Sequence, residues 1–194
     1  VLTYNTHALC MGNKHQAHKM LAYLNQQDAD IICLQEVRVY KDAQRMTLPQ
    51  LRQAMSQYPY PYYDFKRYNS RRQFGNVVFS RYPLINKQTI SYESKNNISS
   101  QCDVVVKRDT IRLIVNHLES FRLMKEDLQL DTLSVSHFKQ STLNQKLHAA
   151  SELRQEQAKA VKAAIRPRPR IGHATRFLIL PIILFLSLMK LLYQ

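Results

Sequence analysis

Two short stretches hold side chains that could do chemistry at the ends of apolar strands. In "DIICLQEV" the run Ile31–Leu34 is continuously apolar, and the first acid to follow it is Glu36. Ligand sites of α/β folds lie in the crevice beyond the carboxyl ends of such strands. A lone carboxylate there suits a hard divalent cation, Mg²⁺ or Mn²⁺, which takes few protein ligands and keeps its waters and a substrate phosphate. In "IVNHLES" His117 closes another strand, and alternation sends it to the face opposite Asn116. An imidazole titrating near neutrality can donate a proton to a phosphate oxygen or orient one. Each signal is weak alone, because surface glutamates and hydrogen-bonded structural histidines are commoner than ligands and catalysts. A third stretch, "LTYNTHA", ends an apolar strand in the polar cluster Tyr4-Asn5-Thr6-His7.

These residues need a scaffold, and the local patterns supply one. Leu2–Tyr4 reads as a strand, and Asn13–Gln27 as a helix with Asn13 as its N-cap and Ala17, Leu21 and Leu24 on one face. Ile31–Leu34 suits a strand buried on both faces, and the strand–helix–strand order predicts parallel pairing. Met46–Ser56 is a further helix, interrupted at its start by Pro49. "YPYPYYDF" at Tyr58–Phe65 is extended chain; its aromatics could stack on bases, although edge packing is the simpler reading. Asn76–Ser80 is a strand introduced by Gly75, and Cys102–Val106 and Ile111–Leu118 form a hairpin. Residues 120–150 read as a polar insertion with some helix. Ser151–Ile165 is a helix capped by Ser151, with Leu153, Ala160, Val161, Ala164 and Ile165 on one face. The body is therefore mixed α/β.

The 194 residues carry 28 Lys+Arg against 14 Asp+Glu, a formal charge of +14. Such a surface attracts phosphates, nucleic acid or anionic lipid without choosing among them. Cys10, Cys33 and Cys102 are odd in number and widely spaced, which argues against a disulfide framework or a zinc site. Cys33 is a small core residue on this reading. Arg38, two residues after Glu36, could touch a phosphate or simply be exposed. His7, His15, His18, His137, His148 and His173 are read as surface or loop residues.

Taken in order, "LTYN", "DIICLQE", "FGNVVFSRYPL" and "VNHLES" resemble the endonuclease/exonuclease/phosphatase superfamily from Leu2 to about Arg166. "RYPLINK", "DTIRLIVNHLESFRL" and "ELRQEQAKAVKAAIR" resemble its bacterial branch, whose members often carry membrane helices. The resemblance implies a DNase I-like four-layer α/β sandwich, two packed mixed sheets flanked by helices, incomplete at the C-terminal side. It implies that Asn5 positions metal, phosphate and acidic ligand, that Glu36 binds Mg²⁺ or Mn²⁺, and that His117 contacts the scissile phosphate. Gly75 would serve the close passage of chains. The implied substrate is a phosphoester in nucleic acid, phospholipid or inositol phosphate. Membrane association of the full-length protein is expected, with a cytoplasmic location as the alternative.

The pattern also departs from that superfamily. No Gly-Asp-Phe-Asn and no Ser-Asp-His occurs in these residues, so the general base and its partner are lacking and little or no turnover is expected. Residues 1–165 form the domain on this reading, and 166–194 a basic and then apolar tail. The tail holds five positive charges and no acid. It reads as the product of a frameshift, since Phe, Leu, Ile and Met share a middle T in their codons, or as a membrane-anchoring segment. The alternative function is a non-catalytic, membrane-attached basic module that binds nucleic acid or anionic lipid.

Overall fold

In the computed structural model, residues 1–94, 96–120, 137–165 and 176–180 are described. Their elements run β1 (Leu2–Asn5), the helical turn α1 (His7–Met11), α2 (Lys14–Gln26), β2 (Ile31–Tyr40), α3 (Leu48–Ala54), β3 (Tyr60–Asn69) and β4 (Arg72–Ser80). They continue with β5 (Leu84–Ile90), β6 (Ser99–Val106), β7 (Asp109–Asn116), α4 (His137–Ala164) and β8 (Arg176–Leu180). One sheet has the order β1-β2-β4-β3 and the other β5-β6-β7-β8. Both are mixed, because β1 runs parallel to β2 and β8 parallel to β7 while the remaining pairs are antiparallel.

The two sheets pack face to face through Ile31, Cys33, Tyr62 and Val78 on one side and Cys102, Val104, Leu113 and Val115 on the other. On the outer face of the first sheet, Ala17, Leu21 and Leu24 of α2 and Leu51 of α3 cover Ile32, Leu34, Val37 and Val77. On the outer face of the second, Val161 of α4 packs on Ile90 and Ile114. The described residues thus form four layers, helix–sheet–sheet–helix, as the α/β sandwich expectation requires. Burial of β2 on both faces explains why its sequence is continuous rather than alternating. Among the described residues no helix is long and apolar enough to cross a membrane.

Several local expectations need correction. Pro49 opens α3 instead of interrupting it: Thr47 and Gln50 form a capping box, and a proline in the first turn lacks only a donor that would be orphaned anyway. Ser151 lies inside α4, which begins at His137. Leu153 is 47% exposed and leaves the expected face, whereas Ala160, Val161, Ala164 and Ile165 do pack against the second sheet, with Ala150 and Gln157 also buried. The strand β5 was not foreseen, since "LINKQTI" shows only its two ends to the core. The aromatics of the Tyr58–Phe65 stretch are mostly spent on packing, with Tyr63 edge-on to Phe79 and Tyr58 beside it. Of the insertion, 121–136 lie outside the described residues. So do 166–175, with His173, and 181–194 of the tail, while Arg176–Leu180 is strand β8.

The turn α1 is left-handed: all residues from His7 to Met11 have positive φ. Thr6 accepts from the Leu9 N–H at one end, and Gly12 takes an αL conformation at the other. Left-handed helical residues other than glycine each cost about 1–2 kcal/mol. Met11 has φ 57 and is 67% exposed, so it contributes strain with little packing in return. Met11→Gly is therefore expected to raise stability by about 1 kcal/mol, read as a later midpoint in urea unfolding; an earlier midpoint would contradict the strained turn.

Burial pushes the Cys33 thiol far above its ordinary value and that of Cys102 up to about 12. Both thiols are therefore neutral core residues, as Cys33 was expected to be. A raised folded pKa favours the folded state below the unfolded value near 9 and is lost as pH climbs toward 12. Stability should accordingly fall above about pH 9. In the folded chain only Cys10 should react with a thiol reagent at neutral pH; labelling of three thiols without denaturant would refute this.

Candidate active site

Asn5 ends β1 opposite Gln35 of β2, and the parallel register brings its side chain to the residue after Gln35. Asn5 Nδ2 donates to Glu36 Oε1 at 2.9 Å, and Asn5 Oδ1 accepts from the His7 N–H at 2.9 Å. Both ends of the amide are fixed, so its orientation is fixed. Thr6 clamps the same corner by donating its hydroxyl toward the carbonyls of Gln35 and Glu36, at 3.1 and 2.9 Å.

Glu36 does not stand at the end of its strand, as the sequence suggested; it sits inside a ten-residue strand, at a β-bulge between Leu34 and Val37. Its φ is 54, a conformation in which a non-glycine residue is strained. The extra residue reverses the alternation of everything that follows. Leu34 and Val37 both reach the helix-covered core, although strict alternation would put them on opposite faces. The bulge thereby turns Glu36 toward the second sheet, where His117 waits.

His117 follows β7 and is held by its backbone, its N–H donating to the Ile98 carbonyl at 3.1 Å and its carbonyl accepting from the Tyr92 hydroxyl at 2.8 Å. Its Nε2 faces Glu36 Oε1 at 3.4 Å. Both side chains are partly enclosed, that of His117 being 11% exposed and that of Glu36 26%. The Phe74 ring stands edge-on to the imidazole with centroids 6.0 Å apart, and the Arg38 guanidinium lies over the Phe74 ring, 5.5 Å from its centroid. Arg38 is thus half-buried beside the site and not a freely exposed arginine. His117 Nδ1 is buried without a hydrogen-bond partner among the described residues.

The three residues expected to act together do meet, with Glu36 Oε1 as the shared point. His7 adjoins the cluster through its backbone N–H, which donates to Asn5 Oδ1. Two further residues escaped the sequence reading. Asn76 donates toward Ile98 O, Ser100 Oγ and Val115 O at 3.2, 3.0 and 3.3 Å, tying the first sheet to the second just below the site. Its signal was an amide directly after Gly75, ahead of the apolar run Val77–Phe79. Tyr92, whose burial raises its hydroxyl to about 12 and keeps it a neutral donor, had no signal at all. Gly75 fits its structural assignment: a Cβ there would lie 2.0 Å from the Asp64 carbonyl oxygen.

The sequence profile described as Endonuclease/Exonuclease/phosphatase family matches residues 2–176. The chain belongs to this family. No curated protein matches it significantly. Among solved structures it is similar to an endonuclease/exonuclease/phosphatase from Beutenbergia cavernae DSM 12333, at 16% identity and TM-score 0.49, over 61% of this chain and 38% of that one. It is similar to sphingomyelinase C from Streptomyces griseocarneus at 20% identity and TM-score 0.47, over 61% and 49%. For a family protein from Leptotrichia buccalis C-1013-b the values are 14% and 0.47, over 74% and 62%. The chain thus spans between 38% and 62% of the length of these three. Membership of the family makes the chain a relative of phosphoester hydrolases.

Proposed function

We propose that this family member is a divalent-metal-dependent phosphoester hydrolase, with Asn5, Glu36 and His117 as its metal- and phosphate-facing groups. The observation that carries the reading is the convergence of the Asn5 amide and the His117 imidazole on one oxygen of Glu36. A carboxylate oxygen is the kind of ligand a hard divalent cation takes. The described residues contain no group of three or more His, Cys, Asp or Glu that could hold a metal. A zinc cage would need such a group, whereas Mg²⁺ or Mn²⁺ is satisfied by one or two carboxylates, waters and the substrate's own phosphate. The donor set fits the hard cation, with Glu36 as its ligand and Asn5 fixing the carboxylate.

Bound there, the cation would neutralise charge building on the phosphoryl oxygens. The protein groups do the rest. His117 can donate a hydrogen bond or a proton to a phosphoryl oxygen, and Tyr92 and Ile98 fix the backbone that aims it. Phe74 excludes water from one side of the imidazole.

With no Gly-Asp-Phe-Asn or Ser-Asp-His among the 194 residues, we propose that this chain by itself turns over little. The test is hydrolysis of bis-(p-nitrophenyl) phosphate with Mg²⁺ by the purified chain, expected not to exceed buffer. Hydrolysis that disappears on Glu36→Ala would overturn the proposed inactivity while supporting the assignment of the site. Hydrolysis untouched by Glu36→Ala would overturn the site.

A further inference from the structure

β7 ends at Asn116, so His117 is the first residue past the ladder that holds the strand in its sheet. Backbone groups beyond a strand end need other partners, and those partners set the direction of the side chains between them. Ile98 and Tyr92 hold the His117 peptide itself. The next tie comes from another layer: the Glu119 N–H donates to Gln157 Oε1 of α4 at 2.8 Å. Asn97 Nδ2 donates to Glu119 Oε2, also at 2.8 Å, and Asn97 directly precedes Ile98. Residues 117–119 are therefore gripped both from the segment before β6 and from the helix that covers the second sheet. Asn97, Glu119 and Gln157 are 7%, 8% and 2% exposed, so water competes little for these bonds.

Gln157 is out of keeping with its surroundings. Ala150 and Val161 are buried on the same helix, and Ala160, Ala164 and Ile165 pack beside Val161. Burying an amide costs free energy unless both of its ends are hydrogen-bonded. Gln157 Nε2 is buried without a hydrogen-bond partner among the described residues. A residue serving packing alone would be apolar here. The one bond this amide makes lands two residues from the imidazole that meets Glu36.

We propose that Gln157 and Glu119 are positioning residues for His117: α4 sets the aim of the imidazole through the Glu119 peptide, and Asn97 completes the clamp. The inference rests on the function proposed above, in which His117 faces phosphate, and it extends that site to a helix in another layer.

The experiment is a double-mutant cycle between Gln157→Met and His117→Ala in the full chain. Methionine keeps the length of the side chain and removes the acceptor. Inorganic phosphate is titrated by calorimetry at saturating Mn²⁺, with Mn²⁺ affinity measured alongside and urea unfolding showing that each variant is folded. Gln157→Met is expected to weaken phosphate binding about fivefold, the net worth of one hydrogen bond, with Mn²⁺ affinity kept. In the His117→Ala background the same substitution should change nothing, because a residue that acts by aiming an imidazole has nothing left to aim. Asn97→Ala is the second variant: releasing Glu119 from its other side should repeat both results. Phosphate affinity unchanged by Gln157→Met and by Asn97→Ala, while His117→Ala lowers it, overturns this inference alone. So does a loss that recurs in full in the double variant, which would make Gln157 a merely structural residue. If His117→Ala binds phosphate as the parent does, the function proposed above fails, and this inference with it.

Discussion

Glu36→Gln is expected to weaken Mn²⁺ binding at least about a hundredfold. Glutamine keeps the size of the side chain and can still meet Asn5 and His117, but it removes the one charge that the described site offers a cation. Loss of even an outer partner of a metal ligand typically costs 10–100-fold in affinity, so removal of the ligand's charge should cost no less. Titration calorimetry with Mn²⁺ measures it directly. Stability should change little, because Glu36 occupies a strained bulge and is one-quarter exposed. A glycine there would also abolish binding, yet it would relieve the positive φ and leave the urea midpoint no lower. Equal Mn²⁺ affinity in Glu36→Gln would place the metal elsewhere.

The second large effect is on the fold. Gly75→Ala is expected to destabilise the chain by about 3 kcal/mol or more, at the upper end of what overpacking costs. The added Cβ would stand 2.0 Å from Asp64 O and 2.9 Å from Phe65 Cα, both backbone atoms of the neighbouring strand. Backbone in the middle of a sheet cannot swing aside as the tip of a lysine can. Gly75 also pairs with Val37, immediately after the bulge, so a forced separation of β3 and β4 would disturb the placement of Glu36. Thermal unfolding and Mn²⁺ affinity should both fall. An alanine variant that melts with the parent would mean that the two strands are not packed as tightly as this.

Much of the scaffold was legible because burial writes itself into residue type. The continuous apolar run Ile31–Leu34 announced a strand covered on both sides, and the spacing of Ala17, Leu21 and Leu24 announced the face of α2. The cap at Asn13 was equally plain, its side chain accepting from the Gln16 N–H at 3.1 Å. What stayed hidden depends on tertiary contact. The bulge at Glu36 has no local signature, since the residue in the left-handed conformation is a glutamate and not the glycine that would have advertised it. β5 shows four successive exposed polar residues, because it lies at the edge of its sheet. The start of α4 at His137 was masked by weak periodicity.

The site followed the same division. Glu36 could be singled out as the first acid after an apolar run and His117 as the imidazole that closes another strand, and the resemblance in motif order added Asn5. Their meeting on one carboxylate oxygen could not be read, since it depends on two sheets facing each other and on the reversal of alternation at the bulge. Tyr92 and Asn76 act through backbone carbonyls, and a hydrogen bond to a carbonyl leaves no trace in the identity of the residue that owns it.

The most direct measurement is the coupling between metal and phosphate binding. If Asn5, Glu36 and His117 form one site, the affinity for inorganic phosphate should rise with bound Mn²⁺, and that for Mn²⁺ should rise with phosphate by the same factor. The expected coupling is about tenfold, vanishing in Glu36→Gln and falling in His117→Ala while the latter keeps its Mn²⁺ affinity. Phosphate binding indifferent to Mn²⁺, with both variants binding as the parent does, would show that the three residues are a structural cluster and not the site of phosphoester chemistry.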